Sequence, residues 1–183
     1  DTRHDDKDVY CTVLWGATTD FTQDTFEYGG VFIDNDGDAI DTTMIQRPLP
    51  DGGMRTYRIT KDNAHGNGIW MDSTDAKRWW EPDTQWTLVQ DRIGAEYVPD
   101  GNPGGVEGPA VFANHHNDGG ADDEWYLFVD VIPSIGYQPM ISHDLDKGWA
   151  KLESQDYFLT EHTKHGGVAS LTRAEYERLR PLA

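Results

Sequence analysis

Two acidic residues give this sequence its chemical interest. Asp41 begins the segment Asp41-Thr42-Thr43-Met44-Ile45, and Glu107 begins Glu107-Gly108-Pro109-Ala110-Val111-Phe112. Each leads, through a turn, to an aromatic segment: Tyr57 lies sixteen residues beyond Asp41, and Tyr126 nineteen beyond Glu107. Two carboxylates held at equivalent places and facing one pocket suit general acid–base work. Taken singly, each has an ordinary use. An Asp at a strand start is a turn residue, and a Glu before Gly-Pro belongs to a loop. The chemistry therefore depends on the elements that would bring the two together.

Those elements are strands. Apolar runs are short and bounded by turn residues almost throughout, so the chain reads as all-β. Strands are predicted at Asp8–Trp15, Val31–Ile33, Ile40–Ile45, Thr56–Thr60, Ile69–Ser73, Trp86–Val89, Val106–Phe112, Glu124–Asp130 and Pro139–Ser142. Asp34–Asp38 lacks the ligand spacing of a calcium loop and reads as a hairpin turn. Only Thr172–Leu179 reads as helix, with Thr172 and Glu175 forming a capping box.

A repeat underlies the strands. The aromatic strands close on Asp62 and Asp130, and a third strand follows as Ile69–Ser73 in one copy and Gln138–Ser142 in the other. Tyr10 starts a further matching segment. Repeated four-stranded units of about 40–50 residues suggest β-propeller blades. The expectation is about three blades and a partial one at the N-terminus, with a simple antiparallel sandwich as the alternative. In a propeller the first strand of each blade lines the central channel. Asp41 and Glu107 would then share one pocket, as glycoside hydrolysis requires of its two carboxylates.

Composition narrows the partners. The 183 residues include 33 acidic and 15 basic side chains, for a formal net charge of −18. Such a surface repels phosphate, which argues against nucleic acid and anionic membranes. The acids divide into 24 Asp and 9 Glu, which favours turns over helices. One cysteine, Cys11, permits no internal disulfide. No apolar run approaches the roughly 20 residues of a membrane helix. The compartment, cytoplasmic or secreted, stays open.

Trp70, Trp79, Trp80 and Trp86 cluster in the middle of the chain. Aromatic faces stack on sugar rings, and Trp79-Trp80, in a loop, is the better subsite candidate; packing between blades is the alternative. His115-His116 with Asp118, Asp122 and Asp123 is a weaker metal candidate, because adjacent residues at a strand end point to opposite sides.

The segments Val106–Phe112 and Trp125–Asp130 resemble the general-acid blade of glycoside hydrolase family 43. Gly136–Met140, Ser142–Leu145 and Trp149 fit the same pattern. Ile40–Ile45 with Tyr57–Asp62 resembles the preceding blade, and Lys164–Val168 with Glu175-Tyr176 the closing segment. The resemblance spans about residues 8–180, in the family's order. It implies a five-bladed β-propeller that hydrolyses arabinose- or xylose-containing oligo- or polysaccharides with inversion, most closely as an α-L-arabinofuranosidase. It implies Glu107 as general acid and Asp41 as the residue that orients it and raises its pKa. It places His165 near the channel centre, where it would help hold a calcium ion or a water cluster; a hydrogen-bonded core histidine is the alternative.

One part of the family pattern lacks a counterpart. The family's general base is an Asp in an Asp-Pro pair of the first blade, and this sequence has no Asp-Pro. Asp1, Asp5, Asp6 and Asp8 form a charged run, and none is assigned as the base. The expectation is a partial propeller, residues 1–183, whose N-terminal blade lies elsewhere, in a missing N-terminal portion or a second chain. The rival expectation is a non-catalytic carbohydrate-binding propeller fragment.

Overall fold

A computed structural model describes residues 12–20, 22, 25–34, 37–120, 122–160 and 162–180. The predicted strand Asp8–Trp15 therefore lies mostly outside the described residues, as do Asp1, Asp5, Asp6, Asp8, Tyr10 and the tip of the Asp34–Asp38 turn.

The described chain is β-sheet with one short helix. The strands are β1 (Val13–Ala17), β2 (Glu27–Ile33), β3 (Ala39–Pro48), β4 (Met54–Asp62), β5 (Gly68–Thr74), β6 (Thr87–Ile93), β7 (Val106–Ala113), β8 (Trp125–Val131), β9 (Gly136–Ser142) and β10 (Ala150–Lys151). The helix α1 (Arg173–Leu179) carries the expected Thr172–Glu175 capping box. It is too short to cross a membrane, and no described helix is long and apolar enough to do so.

The strands form three antiparallel sheets. β1 pairs with β2, β3 to β6 form a four-stranded meander, and β7 to β10 form a second. The two meanders are copies. Ile45 pairs with Tyr57 and Phe112 with Tyr126, at matching places. Gly68 and Gly136, both at positive φ, open the third strand of each copy. The predicted repeat is therefore real in two units.

Its register differs from the sequence reading by one residue. Counting from the paired tyrosines, Lys61 matches Asp130, since each sits four beyond its tyrosine; Asp62 does not. On the first strands, Ile40 pairs with Lys61 and Glu107 with Asp130. Glu107 thus matches Ile40, and Asp41 matches Gly108. Aligning the copies on their final Asp concealed this offset.

The core lies between the two meanders. Tyr57, Ile59, Ile69, Met71 and Ile93 of the first pack with Val106, Leu127, Val129, Val131 and Met140 of the second. Polar joints fix how they meet. Asp146, beyond β9, accepts from the Tyr57 hydroxyl at 2.7 Å and pairs with Arg47 and Arg55. The Trp149 amide donates to Gln90 Oε1 at 2.6 Å, and the Gln90 amide returns to the Trp149 carbonyl. The Tyr97 hydroxyl donates to the Pro139 carbonyl.

Candidate functional site

Asp41 and Glu107 come together because both first strands are irregular at the same place. The β3–β4 register breaks between Ile40 and Thr43, and the β7–β8 register between Glu107 and Ala110. At these bulges Asp41 has φ +53 and Gly108 φ +54. In a regular strand, successive side chains point to opposite faces. Asp41 and Glu107 occupy successive positions of the repeat, so regular strands would send them apart. A bulge re-aims one side chain, and Asp is among the few residues that tolerate the left-handed region. The Asp41 Oδ2 then accepts the Gly108 amide at 3.3 Å, and Thr43 Oγ1 accepts the Val111 amide at 3.4 Å, knitting β3 to β7.

His165 completes the cluster. Its Nε2 lies 3.2 Å from Asp41 Oδ2 and 3.7 Å from Glu107 Oε1, and its Nδ1 lies 2.9 Å from Asp130 Oδ2. The ring lies over Gly108, where an added Cβ would approach it to 2.4 Å. The histidine rides on segment 162–166, strapped across the end of the second meander. The Tyr137 amide donates to the Thr163 carbonyl at 3.0 Å. The Tyr137 hydroxyl accepts the Gly166 amide at 2.6 Å and lies 3.0 Å from the Gly108 carbonyl. Lys164 Nζ reaches Asp130 Oδ1 at 3.2 Å and the Pro133 carbonyl at 3.3 Å.

The charges around the cluster are unevenly exposed. Asp41 and Glu107 keep about a quarter of their side-chain surface, whereas Asp130 is 0% exposed. Lys61 is also buried and donates to the Gly104 carbonyl at 2.9 Å. Burial pushes the Lys61 ammonium below its ordinary value, against the opposing pull of the Glu107, Asp62 and Asp41 charges.

One oxygen each of Asp41 and Glu107 and one nitrogen of His165 lie within 4.8 Å of one another, the one three-residue group among the described residues able to hold a metal ion. The span suits a cation of calcium's size, which takes six to eight oxygen ligands at roughly 2.3–2.6 Å. Two carboxylates and an imidazole would be a partial shell, completed by water. A metal-bound Glu107 oxygen would be unavailable to hold a proton, so the two roles compete for that atom.

Trp79 and Trp80 sit elsewhere. Trp79 packs edge-on against Phe32 at 5.6 Å, Trp80 lies 6.3 Å from Trp15, and Trp86 is joined by Phe32 at 5.9 Å. Their described ring contacts join the two-stranded sheet to the first meander, and none reaches Asp41, Glu107 or His165. Arg58 lies over the Trp86 ring at 4.0 Å and forks onto Asp72 at 2.8 and 2.9 Å. His115 and His116 do not point apart as a strand end would require. Their ring centroids are 3.9 Å apart, because both lie in the turn after β7. A large cleft, 1270 Å³, opens at the opposite end of β3 and β7, around Pro48, Trp125 and Lys147, and includes none of the clustered acids.

Sequence reasoning passed over three residues of the site: Asp130, Tyr137 and Lys61. Asp130 had a signal, since the four-residue count from Tyr126 sets it level with Lys61 beside the first strands.

A family model of glycosyl hydrolases related to family 43, described as a "probable glycosyl hydrolase domain", matches residues 1–177. No curated protein matches.

Proposed function

The chain belongs to the glycosyl hydrolase family related to family 43, and from that premise we propose that it hydrolyses arabinose- or xylose-containing glycans, with Glu107 as the general acid. The observation that carries this is the convergence of Asp41 and Glu107 at matched bulges of two repeated sheets. Glu107 gives its proton to the glycosidic oxygen as the bond to the anomeric carbon breaks. Water attacks that carbon from the opposite face and passes its proton to a base. Inverting enzymes keep acid and base roughly 6.5–9.5 Å apart to seat that water. Asp41 and Glu107 have oxygens within 4.8 Å of each other, too close for that pair. Asp41 therefore serves as the residue that orients Glu107, and the base comes from another segment.

The two repeated meanders support a β-propeller, and the resemblance to family 43 is what gives it five blades. An α-L-arabinofuranosidase with inversion is the activity we put first, and His165 would help hold a calcium ion or a water cluster that leaves a Glu107 oxygen free for the proton. Trp79 and Trp80, half-buried between β5 and β6, would offer a sugar platform with the ring surface left free by Phe32 and Trp15.

The test is hydrolysis of aryl α-L-arabinofuranoside and aryl β-xyloside, with the anomer of the first product read by proton NMR. Turnover with inversion, lost in Glu107→Gln, supports the reading. Sugar binding by calorimetry with no product from the full-length protein would replace it with a binding module.

A further inference from the structure

Asp130 is a carboxylate buried without a full set of partners. It sits on β8 between Val129 and Val131, both buried in the core, and is itself 0% exposed. Its Oδ1 meets Lys164 at 3.2 Å. Its Oδ2 lies 2.9 Å from His165 Nδ1 but off the line of the ring N–H, and it is the one buried side-chain nitrogen or oxygen without a hydrogen bond among the described residues. Burying a carboxylate costs several kcal/mol unless it is paired. Packing alone would favour an apolar residue there, as on either side.

Both of its partners come from the 162–166 strap, which other contacts place independently. The Thr163 carbonyl fills the space beside Gly136, where a Cβ would stand 2.5 Å away, and the Tyr137 hydroxyl holds Gly166. The imidazole is thus caught between a buried carboxylate on one side and Asp41 and Glu107 on the other.

We propose that Asp130 is a positioning residue for the Glu107 site, acting through His165. Its buried charge, 2.9 Å from Nδ1, favours a proton on that nitrogen and leaves Nε2 turned toward Asp41 and Glu107. A ring nitrogen's role follows from what the other nitrogen binds, so Asp130 decides what Nε2 offers to the acids. The placement stands on geometry; its effect on turnover rests on the hydrolase reading.

The test uses the full-length protein, 15N-labelled, at pH 8. A long-range proton–nitrogen spectrum reads the His165 ring, assigned by its loss in His165→Ala. The expected result is a proton on Nδ1, displaced to Nε2 in Asp130→Asn. The same variant should lower kcat on an aryl arabinofuranoside roughly 10- to 100-fold, the range typical of a residue behind a functional histidine, with KM changed by about twofold or less. Asp130→Glu should recover part of the rate. A bare Nδ1 in the wild type, or an unchanged ring pattern in Asp130→Asn, overturns the proposal. If Asp130→Asn does not fold, the wild-type pattern decides alone. If the wild type turns over no pentoside, the hydrolase reading fails and the His165 pattern still judges the placement.

Discussion

The Asp41 carboxylate accepts the Gly108 amide at 3.3 Å, and these two residues occupy the same position in the two four-stranded sheets. Each sits at a bulge with φ near +54°. The repeat thus places one bulge against its own copy, and the acids gather at that joint.

Gly108 should not tolerate a side chain. At φ +54 a non-glycine residue costs about 1–2 kcal/mol, and the added Cβ would stand 2.4 Å from the His165 ring. Gly108→Ala should lower unfolding free energy in urea by at least about 1 kcal/mol and displace the His165 NMR signals. A variant with unchanged stability and His165 spectrum would show that the ring does not lie on Gly108.

Tyr137→Phe removes the hydroxyl that joins Gly166 of the strap to Gly108 of β7. Leaving the buried Gly108 carbonyl without its donor costs about 1–3 kcal/mol. The expected loss in urea is within that range, with faster amide exchange at Gly166. Unaltered exchange there would contradict the joint.

Much of this was legible beforehand. Alternation in Glu124–Asp130 and the tyrosine-centred segments predicts strands, and the Thr172–Glu175 pair predicts the helix. The one-residue register offset is legible only from the tyrosines: Lys61 and Asp130 each lie four residues beyond Tyr57 and Tyr126, whereas Asp62 lies one further. The contact of His165 with Asp41 spans 124 positions, and no local pattern reports such a distance. The strap itself follows the repeat. Pro103 and Gly104 lie against Gly68 and Lys61 as Thr163 and Lys164 lie against Gly136 and Asp130. The contacts of Trp79 with Phe32 and of Trp80 with Trp15 likewise join residues far apart in the chain, which no local pattern reports.

The Asp146 joint predicts an acid-sensitive stability. Burial alone would raise its pKa, but hydrogen bonds from Tyr57 and Arg55 and the charges of Arg47 and Arg55 hold it below the ordinary carboxylate value. The unfolded chain therefore takes up this proton first as pH falls. Stability from Asp146 is present above about pH 4, the ordinary Asp range, and is lost on acidification below it. Asp146→Asn should flatten that part of the stability–pH curve, measured by urea unfolding from pH 6 to pH 2.5. An identical slope in the variant would remove Asp146 from the account.

Arg58→Lys should loosen the two-stranded sheet. The guanidinium covers Trp86, donates to the Phe32 carbonyl of β2 at 3.4 Å and forks onto Asp72, and an ammonium cannot do all three. The expected loss is about 1–2 kcal/mol, the range of a desolvated cation–π contact, with a change in tryptophan fluorescence. Unchanged emission would place Trp86 outside that contact.

The most direct test of the central claim is the leaving-group dependence of Glu107→Gln in the full-length protein. General acid catalysis contributes roughly 10²–10⁴-fold, and it matters most where the leaving oxygen needs the proton. Rates should fall by that factor for an alkyl or phenyl arabinofuranoside and far less for a dinitrophenyl one. An equal loss on both substrates, or no loss on either, would contradict Glu107 as the proton donor.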